Sequence, residues 1–305
     1  MDVKRKIDTP SFECANLTQD LTNLELRLKK CGARAVENET SLNKLFQTHL
    51  NSGGSRTRAF LALAAGIKLA LPDSVRLPIA TSVELLHQAS LIHDDIQDQD
   101  SIRRGSTAIW DLAGESTAIC LGDNMIAAAF EQLAMLPEPY SYHLARLTIM
   151  LSRGVSTMAA GQALDCQWTP GSHLSLAQYE QIVRHKSGPL LGLPIAMTLL
   201  VNGGTDDQVT NILSGASSIG IAYQLADDLN DREDDYGQRL NGYWVIQENS
   251  GDQIDIESEL RARFEWHLTN ARESVANLSD VPAEAFEVLI EALHHKYPTF
   301  RKAAA

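Results

Sequence analysis

Apolar residues recur at three- and four-residue steps along almost the whole chain, a periodicity that admits helices and little else. Leu21, Leu24, Leu26 and Leu28 stand in a polar segment that reads as a first amphipathic helix. Leu42, Leu45, Phe46 and Leu50 mark the next helical face. Long helices are then expected over 56–71, stopped by Pro72, over 75–99, over 113–136, ended by Pro137 and Pro139, and over 143–167, closed by Pro170 and Gly171. Helices over 176–186 and 190–201 follow, separated by a break at Gly188 and Pro189, and then 206–235, 254–278 and 283–295. No sustained alternation of β-branched residues marks a strand. The stretch from Leu190 to Val201 is apolar on all sides, which calls for a buried central layer. Neither a linker nor a composition shift divides the 305 residues, so the expectation is one all-α domain over 1–305.

Charge narrows the partners. The chain has 39 acidic and 26 basic residues, a net charge of −13. That field repels a phosphate backbone, so nucleic acid is not an expected partner, whereas divalent cations are. No run of 18 apolar residues exists to span a membrane, and the most apolar stretch, Gly188 to Val201, is short and holds two prolines. The opening MDVKRKIDTPSFE has no apolar core of a signal peptide. Cys14, Cys31, Cys120 and Cys166 show no CxxC spacing, and read as reduced thiols of a cytoplasmic protein rather than a disulfide frame or zinc site.

One motif occurs twice. Asp94-Asp95-Ile96-Gln97-Asp98 and Asp227-Asp228-Leu229-Asn230-Asp231 are both DDxxD. With 21 aspartates in the chain, random placement predicts roughly 0.1 such motifs, and two together about half a percent of the time. On a helix, the first and last aspartate of each motif share one face. Carboxylates so concentrated need a counter-cation, and hard oxygen ligands suit Mg²⁺, which completes its shell with water and substrate phosphates. The plainer reading is a solvated acidic face. Against it, each motif ends an apolar run: Leu85, Leu86, Leu91 and Ile92 before the first, Ile219, Ile221 and Leu225 before the second. Two such helices facing across a cavity would clamp a diphosphate through several Mg²⁺ ions.

Other residues gain meaning beside these clusters. Arg103 and Arg104 are suited to gripping diphosphate oxygens in a fork that lysine cannot copy, although an arginine pair alone is commonly a surface feature. Gly53-Gly54-Ser55-Arg56-Thr57-Arg58 is a glycine turn opening a helix, where backbone N–H groups attract anions. His87 lies two turns before Asp94 on about the same face, as either a satisfied core histidine or a ligand contact. Lys186 stands before the Ser187-Gly188-Pro189 break, to cap a helix or to reach a phosphate. Gln162 and Asp165 share a helix face, and Gln224 precedes the second cluster by three residues.

Taken together, GGSRTR, ELLHQASLIHDDIQDQDSIRRG, LGDNM, GQALD, KSG and YQLADDLND run in order from Gly53 to Asp231. In this the chain resembles the trans-isoprenyl diphosphate synthase (polyprenyl synthetase) family. The resemblance implies an isoprenoid synthase fold, a helical bundle around a deep apolar cavity, assembled as a homodimer. It implies that Asp94, Asp95, Asp98, Asp227, Asp228 and Asp231 bind Mg²⁺ and an allylic prenyl diphosphate. Arg103, Lys186, Ser187 and Gln224 would also contact that substrate, with Gln162 a further candidate. Arg58, His87 and Arg104 would form a pocket for isopentenyl diphosphate. The implied chemistry is ionisation of the allylic diphosphate, attack by the isopentenyl double bond, and proton loss, with Mg²⁺ and no organic cofactor.

Two departures stand out. The family's glycine turn reads GGKR, and Ser55 replaces that lysine, removing one charge from the isopentenyl pocket. The family also follows its second cluster with a GK element and another lysine that close over the diphosphate. Here the stretch reads REDDYGQRLNGYWVIQENSGD, and no lysine occurs from Ser187 to His295. Arg232 and Arg239 are possible substitutes, opposed by Glu233, Asp234 and Asp235. Small Ala89 and Ser90 before the first cluster lean towards products of C15 or longer. Chain elongation is the expected activity. The alternative is ionisation followed by cyclisation or transfer to another acceptor, which the 6% aromatic content disfavours. A non-catalytic partner subunit is the third reading, disfavoured by six retained aspartates.

Overall fold

The computed structural model describes residues 17–33, 41–250 and 254–300; the opening segment with Cys14 lies outside them. In chain order the helices are α1 (Leu17–Ala33), α2 (Ser41–Asn51), α3 (Thr57–Lys68), α4 (Asp73–Gln97), α5 (Ile109–Ala113), α6 (Glu115–Ala134) and α7 (Leu144–Gln167). They continue as α8 (Leu176–Val201), α9 (Asp206–Asn230), α10 (Arg232–Asp235), α11 (Gly242–Ser250), α12 (Ile256–Val275) and α13 (Asp280–Lys296). The fold is all-α, and none of the described helices is long and apolar enough to cross a membrane.

The described residues form two compact units, one of residues 17–155 and 193–205, the other of residues 156–192 and 206–300. In the first, α4 packs along α6, and α3 and α1 lie on α4. Of the apolar positions that predicted these helices, Leu24 and Leu28 of α1, Phe46 and Leu50 of α2, and Leu85, Leu86 and Ile92 of α4 are buried, while Leu21, Leu42, Leu45 and Leu91 are half-buried. Leu26 is more than half exposed. In the second unit α9 packs most extensively on α12, with α11 and α13 also against α9. Asp255 starts α12 by accepting hydrogen bonds from the Ser258 amide (3.4 Å) and hydroxyl (2.7 Å), a side-chain cap for an orphan N–H.

The structure corrects four expectations. A small hairpin is present: β1 (Ile102–Arg103) pairs antiparallel with β2 (Ser106–Thr107). Strands of two residues are too short to show alternation. Their turn, Arg104 (φ 54°) and Gly105 (φ 76°), has two successive left-handed residues, the geometry that suits tight hairpins. Second, α8 runs unbroken through Gly188 and Pro189. Gly188 serves close packing: a Cβ there would fall 3.0 Å from the Ser217 Cα of α9, and one on Gly220 would fall 3.2 Å from the Ser187 Cβ. That buried crossing holds the helix together across the one hydrogen bond a proline removes.

Third, the helix expected over 206–235 stops at Asn230, and residues 232–235 make a separate turn, α10. Glu233, Asp234 and Asp235 would oppose the dipole at the end of a continuous helix; at the start of a new one they are favoured. Fourth, α5 and α6 are divided at Gly114 (φ 86°), and α11, which has no counterpart in the periodicity reading, is a helix of its own.

Candidate active site

In the first unit the hairpin delivers its two arginines in different directions. Arg103 donates through Nε to Asp95 Oδ1 at 2.6 Å, with its Nη2 also on that oxygen and 3.9 Å from Asp100. Burial disfavours the charge of Arg103, but Asp95 and the neighbouring acids outweigh it and raise its pKa. Asp95 is buried, and burial raises its own pKa against the pull of Arg103. Asp94 and Asp98, one turn apart at the end of α4, are only partly buried.

Arg104 turns instead to the glycine turn before α3 and donates to the Gly53 carbonyl. Gly53 (φ 93°), Gly54 (φ 128°) and Arg56 (φ 53°) are left-handed, and a Cβ on Gly54 would fall 2.6 Å from the Arg104 guanidinium. The positive φ of Gly54 favours glycine there, and a side chain would displace the Arg104 guanidinium. Beside it, Arg58 Nη1 lies 3.3 Å from His87 Nε2. Burial first, then the charges of Arg58, Arg104 and Arg56, push the His87 pKa well below its ordinary value. His49 is pushed down to about 4 by burial and by Arg104, against a hydrogen bond with Gln88. Arg56 points inward, 2.8 Å from Glu25 and 3.4 Å from Glu84. The result is a cradle of two arginines and two neutral histidines. Ser55, where a lysine was absent, bonds Thr57 at 2.7 Å.

In the second unit the other DDxxD is also divided. Asp228 is buried and accepts three hydrogen bonds, from Tyr179 Oη (2.5 Å), Gly242 N (2.6 Å) and Gln224 Nε2 (2.7 Å). Burial pushes its pKa up to about 7, while those donors favour the carboxylate. Tyr179 is raised well above its usual value by burial and by Asp228. Asn241 ties the next loop down, donating to the Asp228 carbonyl (2.8 Å) and to Asp235 (2.9 Å). Asp227 is partly exposed and accepts from Tyr297 Oη (2.5 Å) and Lys296 Nζ (3.2 Å). Asp231 is exposed; what desolvation it has, then Asp227 and Asp235, raise its pKa. On α7 and α8, Lys186 Nζ meets Asp165 at 2.6 Å, and buried Gln162 reaches the Cys166 sulfur at 3.7 Å. Ser187 sits at the α8–α9 crossing.

Among the described residues no three acids, histidines or cysteines converge tightly enough to hold a metal alone. The donor set still fits Mg²⁺, which needs only one or two carboxylates and takes the rest of its shell from water and phosphate. Asp94, Asp98, Asp227 and Asp231 are partly or fully exposed, with Asp227 Oδ1 shared by Tyr297 and Lys296; Asp95 is buried with Oδ1 on Arg103, and both carboxylate oxygens of Asp228 are engaged by Tyr179, Gly242 and Gln224.

A family model described as polyprenyl synthetase matches residues 39–239. The chain belongs to the polyprenyl synthetase family. It is 34% identical over 205 residues to a farnesyl diphosphate synthase of Geobacillus stearothermophilus, covering 65% of this chain and 68% of that protein. It is 31% identical over 201 residues to a chloroplastic geranylgeranyl pyrophosphate synthase of Catharanthus roseus, covering 64% of this chain and 56% of the relative. Among solved structures, a geranylgeranyl pyrophosphate synthetase of the archaeon Geoglobus acetivorans superposes with TM-score 0.78 at 21% identity, covering 91% of this chain and 99% of that one. That likeness shows the isoprenoid synthase fold.

The stretch in which this family member departs from its pattern, 232–250, is the one that braces Asp228, through Gly242 and Asn241. The sequence reading missed Tyr179, Gly242, Lys296 and Tyr297. Asn241-Gly242 after an acidic run carries a helix-start signal that would have pointed to Gly242. Nothing local marks Lys296, which is 69 residues from the aspartate it meets.

Proposed function

We propose that the chain condenses an allylic prenyl diphosphate with isopentenyl diphosphate, giving a trans-prenyl diphosphate longer by five carbons. The observation that carries this reading is the cradle of Arg58, Arg104 and neutral His87 beside the glycine turn. An enzyme that only ionises one prenyl diphosphate has no use for a cationic pocket in addition to its carboxylate pairs. The length of chain shared with the farnesyl and geranylgeranyl diphosphate synthases, and the accessible aspartates, support the same reading.

In this proposal Asp94, Asp98, Asp227 and Asp231 hold Mg²⁺. Bound there, Mg²⁺ supplies the positive charge that stabilises a departing diphosphate. Asp95 and Asp228 act differently from the six equal ligands of the sequence expectation. Asp95 aims Arg103, and Asp228 fixes the end of α9 through Tyr179, Gln224 and Gly242. Arg103, Lys186, Ser187 and Gln224 contact the allylic diphosphate, with Lys186 steadied by Asp165 and Gln162 a further candidate. The allylic C–O bond breaks, its electron pair leaving with the diphosphate. Arg58 and Arg104 grip the diphosphate of the second substrate with charge-assisted hydrogen bonds. His87, uncharged at neutral pH, adds a hydrogen-bonding nitrogen without further charge. The isopentenyl double bond then attacks the cation, and the released diphosphate takes the proton. Apolar residues ahead of each cluster exclude the water that would quench the cation.

Diphosphate release from geranyl or farnesyl diphosphate with Mg²⁺, with and without isopentenyl diphosphate, tests the proposal. Release that requires isopentenyl diphosphate is expected. Equal release without it would move the protein to cyclisation or another acceptor.

A further inference from the structure

The family resemblance implies lysines after the second cluster, and this chain has no lysine between Lys186 and Lys296. Of the two arginines in the corresponding stretch, Arg232 is turned to other partners. Arg232 donates to the Leu229 carbonyl at 2.9 Å, lies 3.6 Å from Glu233 and 3.9 Å from Glu257, and sits over the Tyr243 ring. Arg239 follows the acidic turn of α10 and is exposed. The cation brought to the cluster comes from the far end of the sequence instead.

Lys296 is the last residue of α13, which packs on α9. Its Nζ lies 3.2 Å from Asp227 Oδ1 and 2.8 Å from Tyr223 Oη. The ammonium also lies over two ring faces, 4.4 Å from the centre of Tyr223 and 4.6 Å from that of Tyr297. Tyr297 donates to the same Asp227 oxygen at 2.5 Å. Two aromatic faces and a carboxylate make a built socket for one cation, where each ring face contributes electrostatic attraction. The side chain is half exposed, and an ammonium has three donors, of which two are used here. One donor is left for a ligand oxygen.

From this placement we infer that Lys296 is a diphosphate-binding residue, supplying a positive charge from the end of α13. The inference rests on the proposed activity. When Asp227 ligates a cation, its oxygen no longer serves the ammonium, and the flexible stem lets Lys296 move to a diphosphate oxygen while the tyrosine rings keep it near. Lys296 thereby has opposite effects on two ligands: it competes with a metal for Asp227 when no diphosphate is present, and it strengthens binding once diphosphate arrives.

That opposition makes the test. Wild type, Lys296→Met and Lys296→Arg are titrated with the unreactive thio analogue of farnesyl diphosphate in Mg²⁺, and separately with Mn²⁺ alone, read by its electron paramagnetic resonance. Loss of one charge-assisted contact predicts analogue binding weakened about tenfold or more in Lys296→Met, with Lys296→Arg recovering most of it. Binding of Mn²⁺ alone is expected to be unchanged or tighter in Lys296→Met. Analogue affinity within about twofold of wild type in Lys296→Met would overturn the inference and leave the proposed activity standing. Equal weakening of analogue and Mn²⁺ would also overturn it, since Lys296 would then only shape Asp227. Failure of the wild type to bind the analogue at all would overturn the activity and this inference together.

Discussion

The arginine cradle has a measurable acid liability, to which His49 makes a contribution that can be isolated. Its pKa falls from 6.5 in the unfolded chain to about 4 in the fold, through burial first and then the charge of Arg104. A depressed histidine stabilises the fold above the unfolded pKa, and the stability is lost as pH drops from about 6.5 towards 4, because the unfolded chain then binds the proton more readily. For one group with these pKa values, linkage gives a loss of about 2 kcal/mol between pH 7 and pH 5. His87, lowered for the same reasons, adds to the effect in the same direction. Urea unfolding at both pH values, on wild type and His49→Gln, measures it. Wild type should lose about 2 kcal/mol more than the variant over that interval. An equal loss in both would refute the claim that His49 is held neutral among arginines.

Four further outcomes follow from the geometry. Asp94→Ala and Asp227→Ala should each lower turnover by about two orders of magnitude or more; Asp227→Ala should also lower the melting temperature, because it strands the Tyr297 hydroxyl and Lys296, and near-normal rates in steady-state assays would defeat the metal assignment. Ser55→Lys should lower the KM for isopentenyl diphosphate and leave that for the allylic substrate alone; no change in either would detach the glycine turn from the second substrate. Gly242→Ala places a Cβ 2.8 Å from the Tyr179 ring and hydroxyl and 3.1 Å from Asp228 Oδ2, so it should destabilise by about 1–3 kcal/mol in denaturant unfolding and slow turnover. Gly54→Ala meets the Arg104 guanidinium and should raise the KM for isopentenyl diphosphate more than it lowers kcat.

The helices were legible because their burial is one-sided: Leu24, Leu28, Phe46 and Leu50 announce a face at the spacing that a helix demands. What periodicity misread were positions where tertiary contact overrides a local rule. Gly188-Pro189 is punctuation in isolation, yet in the fold the glycine is the point where α8 and α9 touch. The doubled DDxxD was legible as a motif, but not as two accessible carboxylates and one buried one. That division depends on Arg103 and on Tyr179, and the second of these is 49 residues from Asp228. Arg58 and His87 were named from the sequence and meet at 3.3 Å. Lys296 was beyond reach, because nothing within a few residues of it distinguishes a helix-terminal lysine from one that has a socket.

The most direct measurement of the central claim is the mass of the product formed from farnesyl or geranyl diphosphate with carbon-13-labelled isopentenyl diphosphate and Mg²⁺. The account predicts prenyl diphosphates that carry the label and grow by one five-carbon unit per condensation. An unlabelled hydrocarbon or alcohol, formed at the same rate whether or not isopentenyl diphosphate is present, would contradict it.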